Sequence, residues 1–175
     1  LSEPYIRSSD IVAFDLSSIK QADSPGSLSP SPNGFEAHHA CVLSRYAGIS
    51  DRVSSFGIFE LDSSRDEQFQ TSNLVAQMIW YFLEGLSLRT NDYPSSETIK
   101  SNYQKFLIPV ENLDLQFVFY KSKITGRWWV SSHMEYGNET SYQDKILPCS
   151  YDDYLQTVSG EIPKRIYRIL KITST

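Results

Sequence analysis

Only two cysteines occur, Cys41 and Cys149, and neither sits in a Cys-x-x-Cys pair. That excludes a zinc knuckle and a thioredoxin-like motif. It leads us to expect two reduced thiols, at least one buried, in a cytoplasmic protein. A basic stripe is also missing. The 16 Lys and Arg residues are scattered and the net charge is −5, so nucleic acid is not an expected partner. The longest apolar run, residues 74–86, is broken by Gln77 and Glu84 and is too short to span a bilayer. No secretory pattern is seen, so the Asn138-Glu139-Thr140 sequon carries no weight. There is no Gly-rich phosphate loop, no Gly-x-Ser-x-Gly elbow and no His-Glu-x-x-His. Ser24, Ser27, Ser29 and Ser31 are loop residues by composition, and nothing marks one as a nucleophile.

What is present is aromatic surface. Eleven Tyr and nine Phe supply enough large apolar area for a core. The chain opens at Leu1 and soon reaches the run Ile11-Val12-Ala13-Phe14-Asp15-Leu16, which reads as a cut through a longer protein. This run suits a strand buried on both faces of a parallel sheet. A Ser-, Pro- and Gly-rich loop follows over residues 24–34. Apolar residues at helical spacing predict a helix over 35–46, with Gly48 as its stop. Residues 53–61 read as a second strand, again carrying a carboxylate near its end, Glu60. Thr71 is the expected N-cap of the strongest helix, whose broad apolar face comprises Leu74, Val75, Met78, Ile79, Phe82, Leu83 and Leu86.

This βαβα order predicts a parallel sheet with covering helices. An antiparallel β-meander is expected over 106–130, with turns at 111–114 and 123–126. A final helix is expected over 151–170, divided near Pro163. The expected division is 1–95 for the α/β part and 96–175 for a β-meander and helix packed on it.

Two stretches resemble the ureohydrolase superfamily of arginases, agmatinases and formimidoylglutamases. In that family a buried strand ends in Asp-x-Asp, followed by x-x-Asp-Pro, a small residue and Pro-Gly. Here Asp15 and Ser24-Pro25-Gly26 keep their mutual spacing, and Asn33-Gly34-Phe35-Glu36 resembles the family's later glycine turn. After the second strand, Glu60, Asp66, Thr71, Leu74 and Ala76 hold the register of the family's Glu-Val-Asn-Pro segment and helix. The phrase around Trp80 and the tail from Leu147 to Tyr154 are similar to a formimidoylglutamase-like branch from Bacteroidetes-type bacteria. The superfamily resemblance covers residues 11–86.

The resemblance implies part of a three-layer αβα fold, with this chain as its C-terminal half. It implies Mn²⁺ as cofactor, a metal pair at the strand ends, and hydrolysis of C–N bonds in linear amidines by a metal-bridged hydroxide. It also places Ser17 at the second metal-aspartate position and Lys20 at the third acidic position. His39 stands where an acid faces the cationic end of the substrate. The family's remaining ligands, a His and an Asp-x-His-x-Asp, would lie before Leu1.

Asp15 is thus the one candidate metal ligand, with Ser17, Lys20, His39 and Glu60 lining the site. Asp15 could equally cap the next segment through backbone amides, and Lys20 is expected to point towards it. Adjacent His38 and His39 diverge on a helix and cannot chelate together. Glu60 is expected to link loops at the site mouth, and Asp66 and Thr71 to fix the loop and cap the helix. Trp128 and Trp129 should face opposite sides of a strand, one in the core and one at an interface. His133 should be exposed. Two functions follow: a ureohydrolase with an incomplete metal site, inactive alone, or a non-catalytic binding or assembly protein on that scaffold. The expected partners are the missing N-terminal half and a second copy of the chain, with no membrane involvement.

Overall fold

The computed structural model describes residues 2–110, 115–133, 146–164 and 166. They fall into two units, Ser2–Asn91 and Asp92–Thr175.

In the first unit, α1 (Glu3–Arg7) leads into β1 (Ile11–Asp15), a 3₁₀ turn (Leu16–Ser18) and α2 (Ala37–Ile49). Then come β2 (Ser55–Phe59) and α3 (Gln70–Ser87). The two strands pair in parallel from Ile11–Ser55 to Asp15–Phe59. Asp15 and Glu60, which follows Phe59, therefore emerge at the same end of the sheet. The core joins Phe14, Leu16 and Ile19 to Ala40 and Cys41 of α2 and to Leu74 and Met78 of α3. Each large side chain fully buried there contributes about 1.5–3 kcal/mol. Phe56 stacks on Phe82 at 4.8 Å, fixing α3 against β2.

Three expectations need correction. Gly48 does not end α2; it lies inside it, at the crossing with α3. A Cβ on Gly48 would stand 2.1 Å from the Phe82 carbonyl oxygen, and one on Gly85 would stand 2.5 Å from that of Arg45. Both glycines are there because two backbones nearly touch. The α3 face is also displaced. Thr71, Leu74, Met78 and Gly85 are its buried positions, while Ile79, Trp80, Leu83 and Leu86 are exposed. The close crossing uses small residues, so the large apolar ones exceed what the packed side can hold. Lastly, β1 is not buried on both faces, and neither is its partner β2. Ile11 is 68% and Phe59 55% exposed, because helices α2 and α3 cover the Phe14 side.

In the second unit, α4 (Ile99–Asn102) precedes β3 (Tyr103–Val110), β4 (Leu115–Ser122), β5 (Trp128–His133), β6 (Leu147–Cys149) and α5 (Tyr151–Val158). The sheet is antiparallel in the order β3-β4-β5-β6. The expected meander is present and gains a fourth strand that the sequence had hidden behind Pro148. Pro148 and Pro109 are tolerated because β6 and β3 are the edge strands. The expected turn at 111–114 lies outside the described residues. The turn at 123–126 is closed by Ser122 donating its N–H to the Arg127 carbonyl, with Gly126 at φ 72°.

Trp128 and Trp129 do face opposite sides, but both are core, 8% and 1% exposed in separate clusters. Ser150 and Asp153 form a reciprocal capping box on α5. That helix ends at Val158, and Gly160 takes φ 87°; beyond Pro163, Lys164 and Ile166 are again helical, in keeping with the expected division there. Residues 167–175, the sequon and the side chain of His133 lie outside the described residues. Buried Asp92 accepts hydrogen bonds from Tyr103 (2.7 Å), Ser122 (2.9 Å) and Thr125, tying the start of this unit to its sheet.

Candidate functional site at the strand ends

The C-terminal ends of parallel strands are where open α/β sheets place ligands. Here that region comprises the end of β1, the loop to α2, the end of β2 and the loop to α3. Asp15 closes β1 as the N-cap of the 3₁₀ turn, accepting the Ser17 N–H at 2.8 Å. Hydrogen bonding from the Ser17 side chain and backbone holds the exposed Asp15 carboxyl below its ordinary value. The capping reading of Asp15 is thus the geometry seen.

Lys20 does not pair with Asp15. Its ammonium lies 3.2 Å from Glu36 Oε1 and 3.6 Å from Asp23 Oδ2. Asp23 Oδ2 also accepts the Ala37 N–H at 2.8 Å, at the first residue of α2. The pairing follows from the path of the loop. Lys20 donates its N–H to the Phe35 carbonyl, and Phe35 donates to that of Ser18, so residues 18–20 lie beside 34–36. Hydrogen bonding to Glu36 raises the Lys20 value and outweighs the opposing effect of desolvation. His38 and His39 are exposed in the first turn of α2, with ring centroids 5.9 Å apart.

Glu60 acts through its backbone. It adopts a left-handed conformation, φ 71°, and its carbonyl accepts the Leu28 N–H at 3.0 Å. Asp62 donates its N–H to Gly26 O at 2.8 Å, so two backbone bonds join the loops. Beneath them, Asp66 Oδ1 accepts the Thr71 N–H (2.9 Å), and Oδ2 accepts the Ser72 N–H (2.8 Å) and hydroxyl (2.7 Å). Thr71 is not the N-cap. It lies in the first turn of α3, and its hydroxyl accepts the Gly26 N–H at 2.8 Å. Gly26 allows this closeness, since a Cβ there would meet Asp66 Cβ at 2.7 Å. Ser24 and Ser27 are buried in the same loop, a poor setting for a nucleophile. Both cysteines are buried, and burial pushes the Cys41 thiol up.

Sequence reasoning missed Asp23, and missed that Glu36 of the glycine turn meets Lys20, because the Asp23–Ala37 and Lys20–Glu36 bonds span 14 and 16 residues. Among the described residues, no group of three or more His, Cys, Asp or Glu is placed to hold a metal ion. Among them also, no helix is long and apolar enough to cross a membrane.

No protein-family model matches the chain. Formimidoylglutamase from Staphylococcus haemolyticus is 35% identical over 83 residues, covering 46% of this chain and 27% of that protein. The chain is ureohydrolase-like over about half its length. The ureohydrolase-like stretch is also 31% identical to the Staphylococcus aureus (strain MRSA252) formimidoylglutamase over 84 residues, 47% of this chain and 27% of the relative. The matched stretch therefore spans about a quarter of these relatives. Among solved structures, Trypanosoma cruzi formiminoglutamase with Mn²⁺ at pH 8.5 is 26% identical, with a TM-score of 0.44, over 46% of this chain and 27% of the other.

Proposed function

We propose that this ureohydrolase-like chain is the C-terminal part of a formimidoylglutamase-like protein, and that its strand-end site neither holds manganese nor hydrolyses an amidine by itself. The family's Mn²⁺ would need several carboxylate or imidazole ligands converging at the strand ends. The residues present do not fit that requirement. The observation that carries the reading is at the third acidic position, where Lys20 offers a cation already paired with Asp23 and Glu36. Asp15, the one aligned ligand, already accepts the Ser17 N–H. Hydrolysis of a linear amidine C–N bond would therefore require ligands from another part of the protein. That part, an N-terminal half of the same fold, is the partner we propose, in a cytoplasmic setting.

The test is to incubate the chain with N-formimidoyl-glutamate and Mn²⁺ and measure formamide release. No release above the uncatalysed level is expected, and turnover by the chain alone would overturn the proposal. A second reading, a non-catalytic assembly protein on the same scaffold, is favoured by the exposed apolar residues Ile79, Trp80 and Leu83 along α3.

A further inference from the structure

We propose that Lys20 is a resident cation, holding by its own charge the loop that a divalent ion would otherwise organise. The inference rests on the functional reading above for the metal it replaces, and on the geometry of the loop for the replacement itself. The Lys20 backbone is fixed on both sides. Its N–H donates to Phe35 O at 3.0 Å, and its carbonyl accepts the N–H groups of Asp23 (2.9 Å) and Ser24 (3.1 Å). A Cβ on Gly34 would stand 2.4 Å from Ser18 O and 2.8 Å from Lys20 N, so the two chain segments are pressed together here.

From that anchored backbone the ammonium reaches Glu36 at 3.2 Å and Asp23 at 3.6 Å. Asp23 passes the connection on to the first N–H of α2. One cation thus links the loop after β1 to the start of the next helix.

The chemistry of the acids argues the same way. Asp15 accepts from Ser17, Asp23 from Ala37 and Lys20, and Glu36 from Lys20. A hard divalent ion held by these acids would sit beside the Lys20 ammonium, whose like charge opposes its binding. Without Lys20, Asp23 and Glu36 would face each other with no cation between them. Lys20→Asp would add a third carboxylate, and only an added cation would relieve that repulsion.

The experiment compares thermal unfolding of the chain and its Lys20→Arg, Lys20→Met and Lys20→Asp variants, each with and without millimolar Mn²⁺. Equilibrium dialysis of Mn²⁺ accompanies each. We expect the parent chain to bind no stoichiometric Mn²⁺ and to show an unchanged Tm. Lys20→Arg should stay close to the parent, Lys20→Met should lose a few degrees, and Lys20→Asp should lose more and regain part of it with Mn²⁺. Stoichiometric Mn²⁺ on the parent, or Lys20→Met and Lys20→Asp melting with the parent, overturns the inference. So does a Lys20→Asp loss that Mn²⁺ leaves untouched. Should Lys20→Asp fail to fold, the Arg and Met pair decides: equal melting overturns the role of charge, and a loss confined to Met upholds it. Formamide release by the parent would sink the functional reading while leaving this ranking of melting temperatures intact.

Discussion

Asp66 carries three hydrogen bonds on one buried carboxylate, and these decide its titration. Burial alone would raise its value, but donation from Ser72 and Thr71 outweighs burial and brings it below the ordinary one. A depressed folded-state value stabilises the fold above the unfolded value, about pH 4, and that stability is lost as pH falls through the folded value. We therefore expect the Tm to fall more steeply below about pH 4 in the parent than in Asp66→Asn. Near neutral pH the variant should melt several degrees lower; superimposable Tm–pH curves would refute this assignment. Asp66 was legible as a loop-fixing residue because its partners, Thr71 and Ser72, lie in the first turn of α3, whereas the bond from Gly26 to the Thr71 hydroxyl spans 45 residues. The Lys20–Glu36 pair was not, because it depends on a loop folding back over 16 residues. The sequence pointed Lys20 at Asp15 because Asp15 is the matched metal-site acid, although Asp23 lies closer along the chain and is the one it meets.

Helix α2 meets α3 through glycines, and this reverses an ordinary substitution rule. On an open helix surface, Gly to Ala gains up to about 1 kcal/mol. At Gly48 the new methyl would collide with the Phe82 carbonyl, a backbone atom that cannot rotate away. Gly48→Ala should therefore cost about 2 kcal/mol, the usual scale of overpacking. A urea titration would show it as a lower midpoint, and an unchanged or higher midpoint would refute the close crossing. Arg89 reinforces this corner by donating to the Gly48 and Val53 carbonyls at 2.7 and 2.8 Å. The parallel pair was legible from two apolar runs with acids near their ends. The buried side of α3 was legible only in Leu74 and Met78, because periodicity registers large apolar residues and passes over the buried Thr71 and Gly85. Strand β6 escaped notice because it is short and contains Pro148, which only its edge position permits.

At the scale of the whole molecule, the first unit presents more apolar surface than an isolated domain comfortably keeps. Along α3, the exposed positions Ala76, Ile79, Trp80, Leu83 and Leu86 include no charge, and Glu84 is taken by Arg45 at 2.7 Å. We expect the chain alone to self-associate in light scattering coupled to size exclusion. Trp80→Glu with Leu83→Glu should shift it towards monomer, since like charges then meet across any α3 contact. A monodisperse parent monomer would refute this. The placement of the three tryptophans has an optical consequence. Trp80 stands 60% exposed in the first unit, while Trp128 and Trp129 are buried in the second. Emission from the folded chain should therefore divide into a red, iodide-quenchable component and a blue, shielded one. Denaturation of the second unit would be followed by the loss of the blue component, with Trp80 contributing a nearly constant background.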